Sequence, residues 1–203
     1  MTSFLRAGPA PVVFTLGSAA VHTAGNFYRT AAAGANLLGL RAVLLVGADT
    51  DNLRAEALPE TVIAVEGAPF SRLFPRAAAV VHHGGIGTTG QALRAGRPSL
   101  VVPFAHDQPD NARRLENLGV SRTLPLSRNA PRRLAQELSR LLNEPGYARR
   151  AEKIAQRVRA EKGAVAACDA IEQMLADDAR GRGEAAQANA DCASRIVCTV
   201  NRL

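Results

Sequence analysis

Between Ala79 and Asn111 the chain reads AVVHHGGIGTTGQALRAGRPSLVVPFAHDQPDN, and two chemistries meet there. His83, Gly84, Gly85, Gly87, Thr88 and Thr89 form a small-residue turn suited to an anion. Glycines in such a turn let backbone approach a ligand and adopt conformations closed to other residues. A helix that opens directly afterwards aims its free N–H groups and positive dipole end at the same spot. Thr88 and Thr89 add hydroxyl donors, and His83 adds another, charged or neutral. Together they suit a phosphate or a diphosphate. Asp107, Gln108, Asp110 and Asn111 follow the next apolar run, and their carboxylates and amides could grip a hydroxylated ligand. Ser18, at the exit of the first apolar run, could donate from across the same edge.

Each piece also has a plain structural reading. Glycines after a strand serve tight turns, Thr88 could simply cap the helix, and His82 or His83 could be an ordinary core or surface histidine. A competing motif is present as well. Gly85-Ile86-Gly87-Thr88-Thr89-Gly90 matches G-x-G-x-x-G, the dinucleotide fingerprint, and Asp107 lies about 20 residues on. Two features count against nicotinamide binding. The turn follows the fourth apolar run rather than the first, and Asp107 belongs to a longer polar loop.

The elements that must position these residues alternate along the chain. Apolar, β-branched runs predict strands over Val12–Leu16, Arg41–Val46, Thr61–Val65, Ala78–His82 and Ser99–Pro103, with a shorter sixth over Val120–Leu124. Helices are predicted over Gly25–Leu38, around Phe70–Phe74, over Thr88–Ala95, from Pro109 to Gly119, and over Pro131–Leu142, Tyr147–Ala160 and Ala164–Leu175. Continuously apolar strands are buried on both faces, which implies an α/β protein with a parallel sheet flanked by helices. Ligands of such sheets bind at the carboxyl ends of the strands. Gly17-Ser18, Gly67-Ala68, His83–Thr89 and Phe104–Gln108 all fall on that edge. Residues 1–11 read as a linker, because Gly8, Pro9 and Pro11 oppose regular structure. Residues 12–177 read as one domain. Residues 178–203 read as a disordered tail, rich in small and polar residues.

Composition narrows the partners. The 203 residues are 47% hydrophobic and 4% aromatic with no Trp, so Ala, Val and Leu must build the core. No apolar run reaches membrane-spanning length, and MTSFLRAGPAP lacks a secretory h-region, so the cytoplasm is expected. Cys168, Cys192 and Cys198 show no paired spacing and no nearby His, which supports neither a disulfide framework nor a zinc site. Net charge is +7. Much of that excess sits among acids on late helices, as a solvated face would have it, and no basic–aromatic interleaving suggests nucleic-acid binding.

Val80–Leu115, preceded by APFSRLFPRAAA, resembles the signature of family 1, UDP-glycosyltransferase-like enzymes of the GT-B fold, in the bacterial branch with sterol glucosyltransferase-like, rhamnosyltransferase-like and antibiotic enzymes. FTLGS, Phe14–Ser18, resembles the first strand and turn of the same domain, and the likeness runs from about Pro11 to Leu175. The resemblance implies the C-terminal, donor-binding Rossmann-like half of a two-domain enzyme that inverts the anomeric centre without a metal or other cofactor. It implies Ser18, His83, Gly85, Gly87, Thr88 and Thr89 around the diphosphate, Asp107 and Gln108 on the sugar hydroxyls, and Ala68 backbone against the nucleobase. Gln91 stands where plant-type members carry a ribose-holding Glu, and Gly67 stands where many members carry a stacking aromatic. The family's catalytic base is a histidine of the N-terminal, acceptor-binding domain, so no catalytic residue is assigned in this chain and His22 is not taken as its substitute. The expected function is donor binding for hexose transfer from a UDP- or dTDP-sugar to a lipid or natural-product hydroxyl, with an N-terminal domain or subunit as partner. The alternative is a non-catalytic nucleotide-sugar-binding protein.

Overall fold

A computed structural model describes residues 1–48, 53, 58–178 and 180. It divides into two compact units, Met1–Arg159 and Ala160–Leu203.

The first unit is built on six strands: β1 (Val12–Thr15), β2 (Ala42–Leu45), β3 (Val62–Val65), β4 (Ala79–His82), β5 (Ser99–Val101) and β6 (Ser121–Thr123). They lie in the order β3-β2-β1-β4-β5-β6, and every neighbouring pair is parallel. β1, β2 and β4 are buried along their whole length, as their unbroken apolar character requires. Edge strand β3 is only partly covered. In register, Val12 stands between Ala42 and Ala79, and Thr15 between Leu45 and His82.

Alternate residues of the strands feed two cores, one on each face. Val12, Phe14, Val81 and Leu100 pack with Phe27 and Tyr28 of α3 (Phe27–Leu37) and with Leu134 and Leu138 of α7 (Pro131–Asn143). Val13, Val43 and Val80 pack with Leu73 of α4 (Phe70–Leu73), with Phe74, and with Ala92 and Ala95 of α5 (Ile86–Ala95). A third cluster joins Val101 to Ala112 and Leu115 of α6 (Gln108–Asn117) and to Ala151 of α8 (Pro145–Ala160). Short helices α1 (Thr2–Arg6) and α2 (Gly17–Ala20) precede and follow β1.

The alternation predicted from sequence is present, with boundaries shifted by a residue or two. The expectation of no regular structure in residues 1–11 needs correcting, because Thr2–Arg6 is helical. These five residues contain neither Gly nor Pro, so the punctuation at residues 8, 9 and 11 does not reach them. Arg41 ties the segment down: its guanidinium lies 4.1 Å over the Phe4 ring and donates to the carbonyls of Phe4 and Pro9. In the second unit residues 163–178 are helical. Cys168 is an exposed free thiol, whereas Cys192, Cys198 and most of the expected tail lie outside the described residues. Among the described residues no helix is long and apolar enough to cross a membrane.

Candidate functional site

The strand order reverses between β1 and β4, so their connections leave in opposite directions and open a crevice at the carboxyl edge of the sheet. A hollow of about 360 Å³ lies there. Gly17 and Ser18 after β1, Glu66 and Ala68 after β3, and Gly87 and Thr88 of α5 line it. Four residues predicted for a donor site, Ser18, Ala68, Gly87 and Thr88, therefore share one cavity.

His83 ties the two sides of the crevice together. A Cβ built on Gly17, whose φ is +67°, would fall 2.8 Å from His83 Cε1 and 3.4 Å from Thr88 Oγ1. A Cβ on Gly85 would overlap the same imidazole. The ring thus fills the space that both glycines leave. It is buried, and burial holds its pKa below the ordinary histidine value while the charge of Asp107 pulls the other way.

His82 is fully buried beneath the turn, and its Nδ1 accepts the Gly84 N–H at 3.1 Å. Burial, reinforced by neighbouring His83, pushes its pKa down to about 3. The ring is neutral at physiological pH, so the acceptor at Nδ1 places the proton on Nε2. Of the alternatives open from sequence, the structure selects a core histidine for His82, one that pins the turn from below.

α5 follows its N-cap, Gly85, and among the described residues no side chain caps it. Thr88 is therefore not the helix cap. Thr89 N donates to Gly85 O, the first bond of the helix, and the amides before it point out of the N-terminus without intrahelical partners. A Cβ on Gly87 would meet nothing within 4 Å. The same is true of Gly90. The third glycine of a dinucleotide fingerprint serves close helix–strand packing, and Gly90 has no such contact to relieve.

Thr89 and Gln91 depart from the expected cluster. Thr89 is buried, and its hydroxyl has no hydrogen-bond partner among the described residues. Gln91 is exposed and lines a separate hollow with Ser71, Pro75 and Arg94.

The polar loop after β5 meets the turn at Gly84. With φ of +92°, Gly84 packs so closely on α6 that a Cβ would stand 3.1 Å from the Gln108 carbonyl oxygen and 3.0 Å from Val101 Cγ1. Buried Gln108 accepts the Phe104 and Ala105 N–H groups on Oε1, at 2.8 and 3.1 Å. Asn111 Nδ2 donates to Gly84 O at 2.9 Å and to Asp107 Oδ2 at 2.7 Å. Asp107 is exposed and follows His106, a non-glycine residue at φ +58°. Such a conformation is uncommon and concentrates at functional loops. Asp110 turns away, held by Arg113 and Arg114 at 2.7 and 2.6 Å. Glu66, which the sequence reading does not single out, lines the hollow, and its position directly before Gly67-Ala68 is the available signal. The Asn111 amide, expected from sequence to be able to grip a hydroxylated ligand, donates to Gly84 O and Asp107 Oδ2.

Comparison with known proteins identifies the family. Residues 40–174 match the family model described as erythromycin biosynthesis protein CIII-like, C-terminal domain. The chain is 40% identical over 175 residues to O-mycaminosyltylonolide 6-deoxyallosyltransferase of Streptomyces fradiae, covering 85% of this chain and 40% of that protein. Among solved structures it is similar to the glycotransferase of kitacinnamycin, at 30% identity and a TM-score of 0.73, covering 82% of this chain and 43% of that one. It is also similar to the glycosyltransferase VinC in complex with dTDP, at 31% identity and a TM-score of 0.66, covering 77% and 40% of the respective chains. The chain spans less than half the length of each of these relatives. Its parallel sheet and flanking helices are those of GT-B C-terminal domains, and the chain belongs to the erythromycin biosynthesis protein CIII-like C-terminal domain family.

Proposed function

We propose that this chain is the donor-binding half of an inverting glycosyltransferase, acting in the cytoplasm on a nucleoside-diphosphate hexose destined for a lipid or natural-product hydroxyl. One observation carries the reading. The uncapped N-terminus of α5, with open space over Gly87, faces a hollow at the sheet's switch point. In the reading, the diphosphate lies over the α5 amides, with Ser18 and His83 beside it, and no metal is involved. Negative charge building on the leaving diphosphate meets donors that are already oriented, which is where such donors lower a barrier. The nucleoside runs along Gly67-Ala68, and Glu66, which lines the hollow where Gln91 does not, takes the ribose. Asp107 accepts from sugar hydroxyls. Gln108 donates to them through Nε2, since its Oε1 is engaged by the loop amides. That VinC was solved with dTDP supports a dTDP-linked donor. The acceptor and the catalytic base come from an N-terminal domain or subunit, and no residue of this chain is assigned the base.

Calorimetric titration with dTDP, UDP and their glucose esters tests the division of labour. His83→Ala or Thr88→Val should weaken the diphosphate and its sugar ester alike, by about tenfold for a lost donor of about 1.4 kcal/mol. Asp107→Asn should weaken the sugar ester far more than the free diphosphate. Equal losses for both ligands in Asp107→Asn would overturn the assignment of that loop to the sugar.

A further inference from the structure

Asn111 stands where two acceptors converge. The Gly84 carbonyl oxygen and Asp107 Oδ2 lie 2.9 and 2.7 Å from the same Nδ2 atom. Neither can donate, so the amide orientation is settled by chemistry: the NH2 end must face both, and each of its two hydrogens takes one acceptor. A hydroxyl in its place would have one hydrogen to share between two acceptors, and a carboxylate would have none.

The two acceptors belong to different parts of the site. Gly84 lies in the glycine turn, held from beneath by its N–H bond to His82 Nδ1 and limited to a glycine conformation at φ +92°. Asp107 is exposed at the start of α6, where its backbone carbonyl accepts the Asn111 N–H at 3.0 Å, and its carboxylate has no other hydrogen bond among the described residues. An exposed carboxylate on a loop samples several rotamers unless something holds it. Here the rigid member, Gly84, is linked through Asn111 to the free one.

We infer that Asn111 is a positioning residue: it takes its reference from the Gly84 carbonyl and holds the Asp107 carboxylate in the orientation that receives a sugar hydroxyl. The inference rests on the nucleotide-sugar reading above and adds to it a residue that touches neither the diphosphate nor the sugar. It also makes the glycine turn and the hydroxyl-binding loop one unit, joined by a single amide.

The test is a mutant cycle in the full-length chain, read as the ratio of the dTDP to the dTDP-glucose dissociation constant. Asn111→Ala should lower this ratio about fivefold while dTDP affinity stays within about threefold. In an Asp107→Ala background the same change should move the ratio less than about twofold, because a residue acting through Asp107 has nothing left to position. Asn111→Asp separates positioning from helix stability. It is nearly isosteric and places an acid in the first turn of α6, where the dipole favours it and repulsion from Asp107 at i−4 opposes it. The denaturant midpoint is therefore read beside the ratio: a helix-stabilising role ties the ratio to the midpoint, whereas a positioning role predicts a loss in the ratio at least as large as that of Ala whatever the midpoint. Independent losses in the double variant, equal losses for both ligands, or an unchanged ratio in Asn111→Asp would each overturn the inference. Failure of the unmodified chain to bind dTDP, UDP or either glucose ester would instead overturn the reading beneath it.

Discussion

Gly34 and Gly87 both sit in helices: Gly34 inside α3, where Gly costs roughly 0.5–1 kcal/mol relative to Ala, and Gly87 in the first turn of α5, where the cost is smaller. Their surroundings differ completely. At Gly34 an added Cβ would overlap Leu134 Cδ2 and stand 3.2 Å from the Pro131 carbonyl, in the seam where α3 meets α7. At Gly87 it would meet nothing within 4 Å, at the rim of the hollow. Packing accounts for the first glycine and cannot account for the second. Gly90 of the same helix also meets nothing within 4 Å, so what sets Gly87 apart is its place at the rim of the hollow, beside the free α5 amides, where the proposed diphosphate would approach. The α3–α7 seam is thus close-packed, whereas the α5 turn is open, as the proposed donor site requires.

The sharpest way to break this contrast is to fill each space. Gly34→Leu should lower stability by about 2–3 kcal/mol through overpacking. The denaturant midpoint reads this directly, and an unchanged midpoint would mean that the seam is looser than the structure shows. Gly87→Ala should do the reverse: stability holds or rises by less than about 0.5 kcal/mol, while dTDP affinity falls about tenfold, or about 1.4 kcal/mol. A Gly87→Ala chain that binds dTDP as the unmodified chain does would remove the functional half of the comparison.

The same contrast marks what could be read in advance. Continuously apolar runs announced the buried parallel strands, because such strands can be covered only by helices on both faces. The polar exits at Gly17-Ser18, Gly67-Ala68 and His83–Thr89 followed from that topology. The purpose of each glycine did not, since it depends on what stands opposite: His83 for Gly17 and Gly85, Gln108 for Gly84, empty space for Gly87. The polar loop was legible as a cluster but not as an arrangement. Asp110 is drawn off by Arg113 and Arg114 at i+3 and i+4, a spacing visible in the sequence. Gln108 spends its oxygen on its own loop. Asn111 acquires its role from a carbonyl 27 residues earlier, which no local pattern reports.

Acid offers a subtler way to separate the two regions. The Gly34–Leu134 contact is apolar, whereas the turn hangs on His82, whose folded-state pKa is about 3 against an ordinary value near 6.5. Between those two values the unfolded chain binds a proton that the folded chain refuses. Stability therefore rises with pH across this window, is fully present above about 6.5, and declines as pH falls toward about 3. The slope approaches at most about 1.4 kcal/mol per pH unit for one proton. His83, also held low by burial, acts in the same direction. Denaturant midpoints should fall between pH 7.5 and pH 5, and amide exchange at Gly84 should accelerate before that of the α3–α7 seam. His82→Asn keeps an acceptor near the Nδ1 position but cannot titrate, so it should flatten the slope. An equally steep slope in His82→Asn would show that other groups set the acid sensitivity, and that the turn does not depend on a neutral imidazole.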